Sequence, residues 1–102
     1  MNDKLEDMLK RQEAFQKKYN FKQPIHMWIA ALNSECGELW SKCNGKWWKR
    51  KQNTRDERLE ELADIMHFIF GFMLEEGISA EELYQAYCKK LKINYERQES
   101  SY

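Results

Sequence analysis

The stretch SECGELW, residues 34–40, places two carboxylates three positions apart, at Glu35 and Glu38. A second stretch, EELADI at residues 60–65, repeats this spacing with Glu61 and Asp64. Residues three apart lie on the same face of an α-helix. The spacing therefore predicts two helices, each of which presents a pair of carboxylates on one side.

Both acidic faces are otherwise apolar. At about 100° per residue, the carboxylates project with the apolar residues Trp28, Ala31, Leu32 and Leu39 in the first helix and Ile65, Phe68 and Phe72 in the second. A helix buries its apolar stripe, and a buried carboxylate needs a cationic partner. No Lys or Arg falls among the aromatic residues of either stripe. A divalent metal between the two helices is the economical partner, and Mg²⁺ prefers oxygen ligands.

Composition predicts a single all-α domain over residues 1–102, with one Pro, four Gly and no alternating strand pattern. The net charge of zero argues against nucleic-acid binding through the overall field. We expect no membrane segment, because the longest apolar run, Ile65 to Leu74, is short and contains His67. Three cysteines without a CxxC spacing indicate reduced, partly buried thiols of a cytoplasmic protein.

Four helices are predicted. They run from Asp3 to Tyr19, from Pro24 to Lys42, from a capping box at residues 54–57 to Glu76, and onward from a second capping box at residues 79–82. The predicted inward residues are Leu5, Met8, Leu9, Phe15 and Tyr19 in the first helix and Leu83, Ala86, Tyr87, Leu91 and Tyr95 in the fourth. Because the second half of the third helix is apolar nearly all round, we expect a homo-oligomer with residues 65–74 near its interface and Phe70 pointing outward.

Several motifs resemble a known superfamily. Glu35-x-x-Glu38 with Glu61-x-x-Asp64 resembles the ExxE…ExxD signature of the all-α nucleoside triphosphate pyrophosphatases, which include MazG-like enzymes and the dimeric dUTPases. Finer matches favour the dUTPases over about residues 9–102. These matches are Lys46-x-Trp48 after the first motif, His67-Phe68 after the second, Asn94-x-x-Arg97-Gln98 with Ser101-Tyr102 at the C-terminus, and Gln12 where that family reads the uracil edge.

This resemblance implies a four-helix unit of the all-α pyrophosphatase type, assembled as a dimer or tetramer. It also implies Mg²⁺-dependent hydrolysis of dUTP to dUMP and pyrophosphate, with Mn²⁺ as a substitute metal. The implied roles are metal binding by Glu35, Glu38, Glu61 and Asp64, activation of the attacking water by Glu35, phosphate binding by Lys46, Lys49, Asn94 and Arg97, and base binding by Gln12 and Trp48.

Other functions stay open at this point. Only about one helix separates Asp64 from Asn94, whereas well-known dimeric dUTPases have extra helices there, so a MazG-like enzyme of broader dNTP specificity is an alternative. The basic and aromatic segment 46–51 could instead bind single-stranded nucleic acid by stacking, with the carboxylates as a structural cation site. A non-catalytic helical interaction module is a third alternative. His67 is either a partner of Asp64 or a packed core histidine.

Overall fold

Four α-helices form the structure: α1 (Lys4–Lys18), α2 (Ile25–Lys42), α3 (Arg55–Glu76) and α4 (Ala80–Glu99). This computed structural model describes residues 3–43, 47–48 and 53–100. All regular structure within those ranges is helical, which confirms the prediction of an all-α fold. No helix within those ranges is both long enough and apolar enough to cross a bilayer.

The helix ends follow local sequence signals. Both predicted capping boxes are present: the side chain of Thr54 accepts from the backbone N–H of Glu57, and Ser79 accepts from Glu82 in the same way. Gly77 ends α3 in the left-handed conformation, with φ of 70°, which glycine adopts without steric cost. α2 begins one residue later than predicted, because Pro24 is its N-cap residue.

The core lies where α1 and the start of α4 meet α3. Phe70 of α3 is 2% exposed and packs in a cluster with Leu9, Met73 and Ala80. The prediction that Phe70 points outward is therefore wrong. Periodicity could not orient the second half of α3, since that half is apolar nearly all round. The contact of Phe70 with Leu9 of α1 decides which side is inner.

The inner face of α1 also differs from the prediction. Leu9, Gln12 and Gln16 are its buried residues, and they lie at positions that continue a single stripe. The predicted inward residues Met8, Phe15 and Tyr19 are all exposed. The stripe that faces α3 is therefore half polar, and a search for apolar spacing overlooked it.

α4 packs on α1 only near its own beginning, where Leu83 is half-buried against the core. The other residues of α4 that were predicted to face inward are exposed, namely Ala86, Tyr87, Leu91 and Tyr95. Within this chain, the prediction for them is therefore wrong. The radius of gyration is 16.7 Å, compared with about 13 Å for a compact domain of about 100 residues. The three cysteines are exposed as well, contrary to the expected partial burial.

Candidate functional site

The side-by-side packing of α2 and α3 brings three of the predicted carboxylates together. Glu35 of α2 and Glu61 and Asp64 of α3 each offer a carboxylate oxygen, and these atoms all lie within 4.8 Å of one another. All three side chains are half-buried. Glu38 follows Glu35 by one turn on α2, but its side chain is exposed and lies outside this cluster.

The cluster concentrates negative charge. The pKa of Glu35 is raised above its ordinary value, first because partial burial desolvates its carboxylate and next because Glu61 hydrogen-bonds to it. The charges of Asp64, Glu61 and Glu38 raise it further. Within the described ranges, the ion pairs involve Lys or Arg with other acidic residues, so no described cation neutralises this cluster.

The donor set of the cluster suits a hard divalent cation. Its ligand atoms are carboxylate oxygens alone, and they come from two different helices that are packed against each other. Mg²⁺ is bound by carboxylate oxygens, whereas zinc sites are built mainly from cysteine and histidine. The three side chains therefore suit Mg²⁺ both in the kind of ligand atom that they offer and in the closeness of those atoms.

An ion pair and hydrogen bonds connect the residues just before the segment 44–52, at the end of α2, with those just after it, at the start of α3. Lys42 Nζ lies 3.4 Å from Glu57 Oε2, and both side chains are about one-third exposed. Asn53 Nδ2 donates to the backbone oxygen of Ser41 at 2.9 Å, and Arg58 donates to the backbone oxygen of Asn53 at 3.1 Å. These contacts fix the register of the two helices, on which the meeting of the carboxylates depends.

Beside the carboxylates, a groove lies between α1 and the surface formed by α2 and α3. It contains a larger cavity of about 370 Å³ and a smaller one of about 160 Å³, which share Gln12, Phe15 and His67. His67 lies one turn after Asp64 on α3, so the groove adjoins the acidic cluster. Met8, Arg11, Ala63, Met66 and Phe70 complete the larger cavity, and Gln16, Phe21, Trp28 and Phe68 complete the smaller one.

Two buried glutamines lie in this groove. Gln12 Nε2 donates a hydrogen bond to Gln16 Oε1 at 2.8 Å, and both side chains are less than one-tenth exposed. Gln12 is one of the two predicted base-binding residues, and it lies at a cavity wall. Gln16 was not predicted as a site residue, although its spacing of four from Gln12 indicates that the two side chains share a face.

The other predicted site residues lie elsewhere or outside the described ranges. Trp48 is 62% exposed and contacts Trp47 edge-on, with 5.7 Å between ring centroids. Lys46 and Lys49 lie outside the described residues. His67 is exposed at the groove, so it is not a packed core histidine.

Asn94 and Arg97 lie on exposed positions of α4. Within the described parts of the chain, the backbone of α4 approaches that of α1 and not that of α2. The fold of a single chain therefore does not bring Asn94 and Arg97 to the carboxylates.

Comparisons with known proteins find similarity over the part of the chain that carries this site. A dUTPase family model matches residues 1–79, which include Gln12, Gln16 and all four carboxylates. The dCTP pyrophosphatase of Enterobacteria phage T4 is 33% identical over 76 residues, covering 67% of this chain and 44% of that protein. The chain thus spans less than half the length of this curated relative. No solved structure matches this chain. Because the family match covers most of the chain, including both carboxylate motifs, the protein belongs to the dUTPase family of all-α nucleoside triphosphate pyrophosphatases.

Proposed function

We propose that this protein hydrolyses dUTP to dUMP and pyrophosphate with the aid of Mg²⁺. The observation that carries the proposal is the convergence of Glu35, Glu61 and Asp64 beside a groove that contains a buried amide pair. A nucleotide substrate requires both features. The acidic cluster can bind its charged phosphates through a metal, and the groove can bind the base, which distinguishes one nucleotide from another. Membership of the dUTPase family supports the same reaction.

The acidic cluster would act on the triphosphate. Glu35, Glu61 and Asp64 would hold Mg²⁺, with Glu38 as a further predicted ligand one turn away. The metal supplies positive charge that offsets the repulsion between carboxylates and phosphates. Glu35 would accept the proton of the attacking water. The water oxygen then bonds to the α-phosphorus as the bond from that phosphorus to the bridging oxygen breaks, and pyrophosphate leaves.

The smaller cavity is the proposed base site. Aromatic side chains form much of its wall, and the amides of Gln12 and Gln16 supply hydrogen-bonding groups. Apolar walls with few convergent polar groups are typical of small-molecule sites. Trp28 lies seven residues before Glu35 on α2, which corresponds to about 10 Å along the helix. This separation leaves room for a sugar between a base in the cavity and phosphates at the cluster.

The orientation of the amide pair decides which of two pyrimidines it complements. As placed, Gln12 donates to Gln16, which leaves an acceptor on Gln12 and donors on Gln16. If both amides turn over, their mutual hydrogen bond is kept with its direction reversed, and the pattern offered to a base is reversed too. Cytosine therefore remains a second candidate, and the relative named dCTP pyrophosphatase favours it specifically.

A panel of dNTPs with Mg²⁺ tests the proposal, with pyrophosphate scored against orthophosphate. We expect dUTP to be the best substrate and dTTP and dCTP to be much poorer. Gln12→Ala should reduce the preference for dUTP over dCTP more than it reduces turnover, because a base-reading amide is lost. Gln85→Ala, at an exposed position on α4, is the matched control. Comparable hydrolysis of several dNTPs would favour the broader MazG-like alternative.

We propose that Lys46, Lys49, Asn94 and Arg97 contact the phosphates in a homo-oligomer. Because α4 does not approach α2 of its own chain, Asn94 and Arg97 would serve a neighbouring copy. Mixing inactive Asp64→Asn and Arg97→Ala proteins should then restore part of the activity, since hybrid assemblies contain one complete site. If the mixture stays inactive after subunit exchange, Arg97 does not act on a neighbour's site.

A further inference from the structure

Phe21, in the connection between α1 and α2, lies between two cavities. It forms part of the wall of the smaller cavity, which has a volume of about 160 Å³ and is the proposed base site. It also forms part of the wall of a third cavity of about 350 Å³, which lies near the ends of α1 and α3. Of the described residues, only Gln16 likewise lines both. These two residues therefore separate the proposed base site from a second, larger space.

Three features hold Phe21 in this position. Asn20 adopts the left-handed conformation, with φ of 52°, which asparagine adopts more readily than most residues do. The backbone N–H of Phe21 donates to the backbone oxygen of Gln16 at 2.7 Å. The ring of Phe21 stacks on that of Phe15, with 5.9 Å between the centroids and 23° between the planes. The position of the Phe21 ring is thus determined by α1, the helix that also carries the amides of the base site.

The volume of the smaller cavity suits a single ring. Cavities that bury drug-sized ligands measure roughly 300–1,000 Å³. A cavity of about 160 Å³ is well below this range, so it can hold only one part of a nucleotide. A pyrimidine base is one six-membered ring, whereas a purine base consists of two fused rings.

A purine would need a deeper site than a pyrimidine. The sugar of a purine nucleotide is attached to the five-membered ring, so the hydrogen-bonding edge of the six-membered ring lies farther from the sugar. In the proposed site, the sugar lies toward the carboxylates, and the amides of Gln12 and Gln16 face that edge. A purine would therefore press its edge against Gln16 and the adjoining Phe21, in the direction of the third cavity.

We infer that Phe21 sets the depth of the base site and thereby restricts the enzyme to pyrimidine nucleoside triphosphates. This inference rests on the proposed function, and it adds a specificity-determining residue to Gln12. Without the ring of Phe21, the smaller cavity would open into the third one. The joined space would then accept two fused rings.

The ratio of purine to pyrimidine hydrolysis tests the inference. We expect wild type to have a much lower kcat/KM for dGTP and dATP than for dUTP. Phe21→Ala should raise the ratio of either purine to dUTP by roughly 10-fold or more, since even one methylene group in a pocket changes discrimination on this scale. Tyr19→Ala is the matched control. Tyr19 is exposed and lies against Phe15, but it lines neither cavity, so its loss should leave the ratio unchanged.

Binding gives a readout besides turnover. Isothermal titration calorimetry with Mg²⁺ measures Kd for the α,β-imido analogues of dUTP and dGTP, which are not cleaved at the α-phosphorus. Wild type should bind the uracil analogue more tightly, and Phe21→Ala should narrow the ratio of the two Kd values. A purely structural role of Phe21 would weaken both analogues equally. An unchanged ratio of Kd values would therefore overturn the inference.

The two proposals fail in different ways. If no dNTP is hydrolysed, the proposed function is wrong. If wild type hydrolyses dGTP or dATP as efficiently as dUTP, or if Phe21→Ala changes the ratio no more than Tyr19→Ala does, only the inference about Phe21 is wrong. If Phe21→Ala does not fold, Phe21→Leu takes its place, because it keeps an apolar side chain and removes the aromatic ring. Its ratio of purine to dUTP hydrolysis should exceed that of wild type, and an equal ratio would contradict the inference.

Discussion

Gly71 of α3 lies directly against the benzo ring of Trp28, so closely that a Cβ atom at position 71 would overlap Cζ3. The absence of a side chain at this point lets α2 and α3 approach each other. Trp28 in turn forms part of the cavity wall beside Gln12 and Gln16. One glycine therefore links the packing of the two carboxylate-bearing helices to the shape of the proposed base site.

Gly71→Ala should destabilise the protein, although alanine is the better helix former by about 1 kcal/mol. The added methyl group meets a rigid aromatic ring, and overpacking of this kind costs about 1–3 kcal/mol. We expect a lower midpoint in urea unfolding. Gly37→Ala on α2 is the matched control, because a Cβ atom there meets nothing within 4 Å, and it should stabilise the protein by about 0.5–1 kcal/mol. Equal effects of the two substitutions would contradict the packing described.

The contact between Lys42 of α2 and Glu57 of α3 should weaken in acid. The pKa of Glu57 is lowered from its ordinary value of about 4.5, first by the backbone hydrogen bond from Thr54 and then by Lys42. The unfolded chain thus binds the proton more readily, so the charged carboxylate stabilises the fold above about pH 4.5 and this contribution is lost as pH falls through the lowered pKa. Glu57→Gln should be less stable than wild type at pH 7, and the difference in the free energy of unfolding between the two proteins should vanish toward pH 3.

Urea unfolding at several pH values measures this difference in the free energy of unfolding. Because all other titrating groups are the same in the two proteins, their contributions to the difference cancel. Lys42→Met is an informative companion variant. It removes the cation but keeps the hydrogen bond from Thr54, so it should retain most of the pH dependence. A gap between wild type and Glu57→Gln that stays constant from pH 3 to pH 7 would argue against this account of Glu57.

Local signals made the helix ends and the carboxylates predictable. The capping boxes at Thr54 and Ser79 are satisfied within four residues of sequence, so no other part of the chain can change them. The spacing of Glu61 and Asp64 is equally local. Their meeting with Glu35 was predictable because all three lie on stripes that the two helices were expected to bury against each other.

Long-range packing was less predictable. The orientation of Phe70 depends on Leu9 of α1, and no periodicity in the apolar second half of α3 distinguishes its sides. The burial of Gln12 and Gln16 was not predicted, because the inner face of α1 was assigned from its apolar residues. Tyr87 on α4 was assigned to a core, although the described chain provides no covering for it.

Mg²⁺ should stabilise the folded protein if the carboxylates bind it. A ligand that binds only the folded state at ten times its Kd adds about 1.4 kcal/mol, which corresponds to a rise in Tm of about 5–10 °C for a chain of this size. Asp64→Asn should remove most of this rise and most of the activity. The exposed neighbour Glu60→Gln should keep both. The same Tm in EDTA and in millimolar Mg²⁺, together with metal-independent activity, would exclude the metal site.

The exposed face of α4 predicts self-association. Tyr84, Tyr87, Leu91 and Tyr95 recur at the spacing of one helical face, and all are exposed within the described chain. We expect light scattering to show a dimer or a larger assembly at micromolar concentration. Leu91→Asp should dissociate it while the helical circular dichroism persists, whereas Lys89→Asp, on the opposite face, should not. A wild-type protein that is monomeric and stable would contradict this prediction.

The most direct test of the central claim is hydrolysis of dUTP in ¹⁸O-labelled water with Mg²⁺, followed by ³¹P NMR and mass spectrometry of the products. Attack on the α-phosphorus by a water that Glu35 activates should give dUMP that carries one ¹⁸O atom and pyrophosphate that carries none. Asp64→Asn should give neither product above background. Orthophosphate with dUDP, ¹⁸O in pyrophosphate, or no consumption of any dNTP would contradict the account.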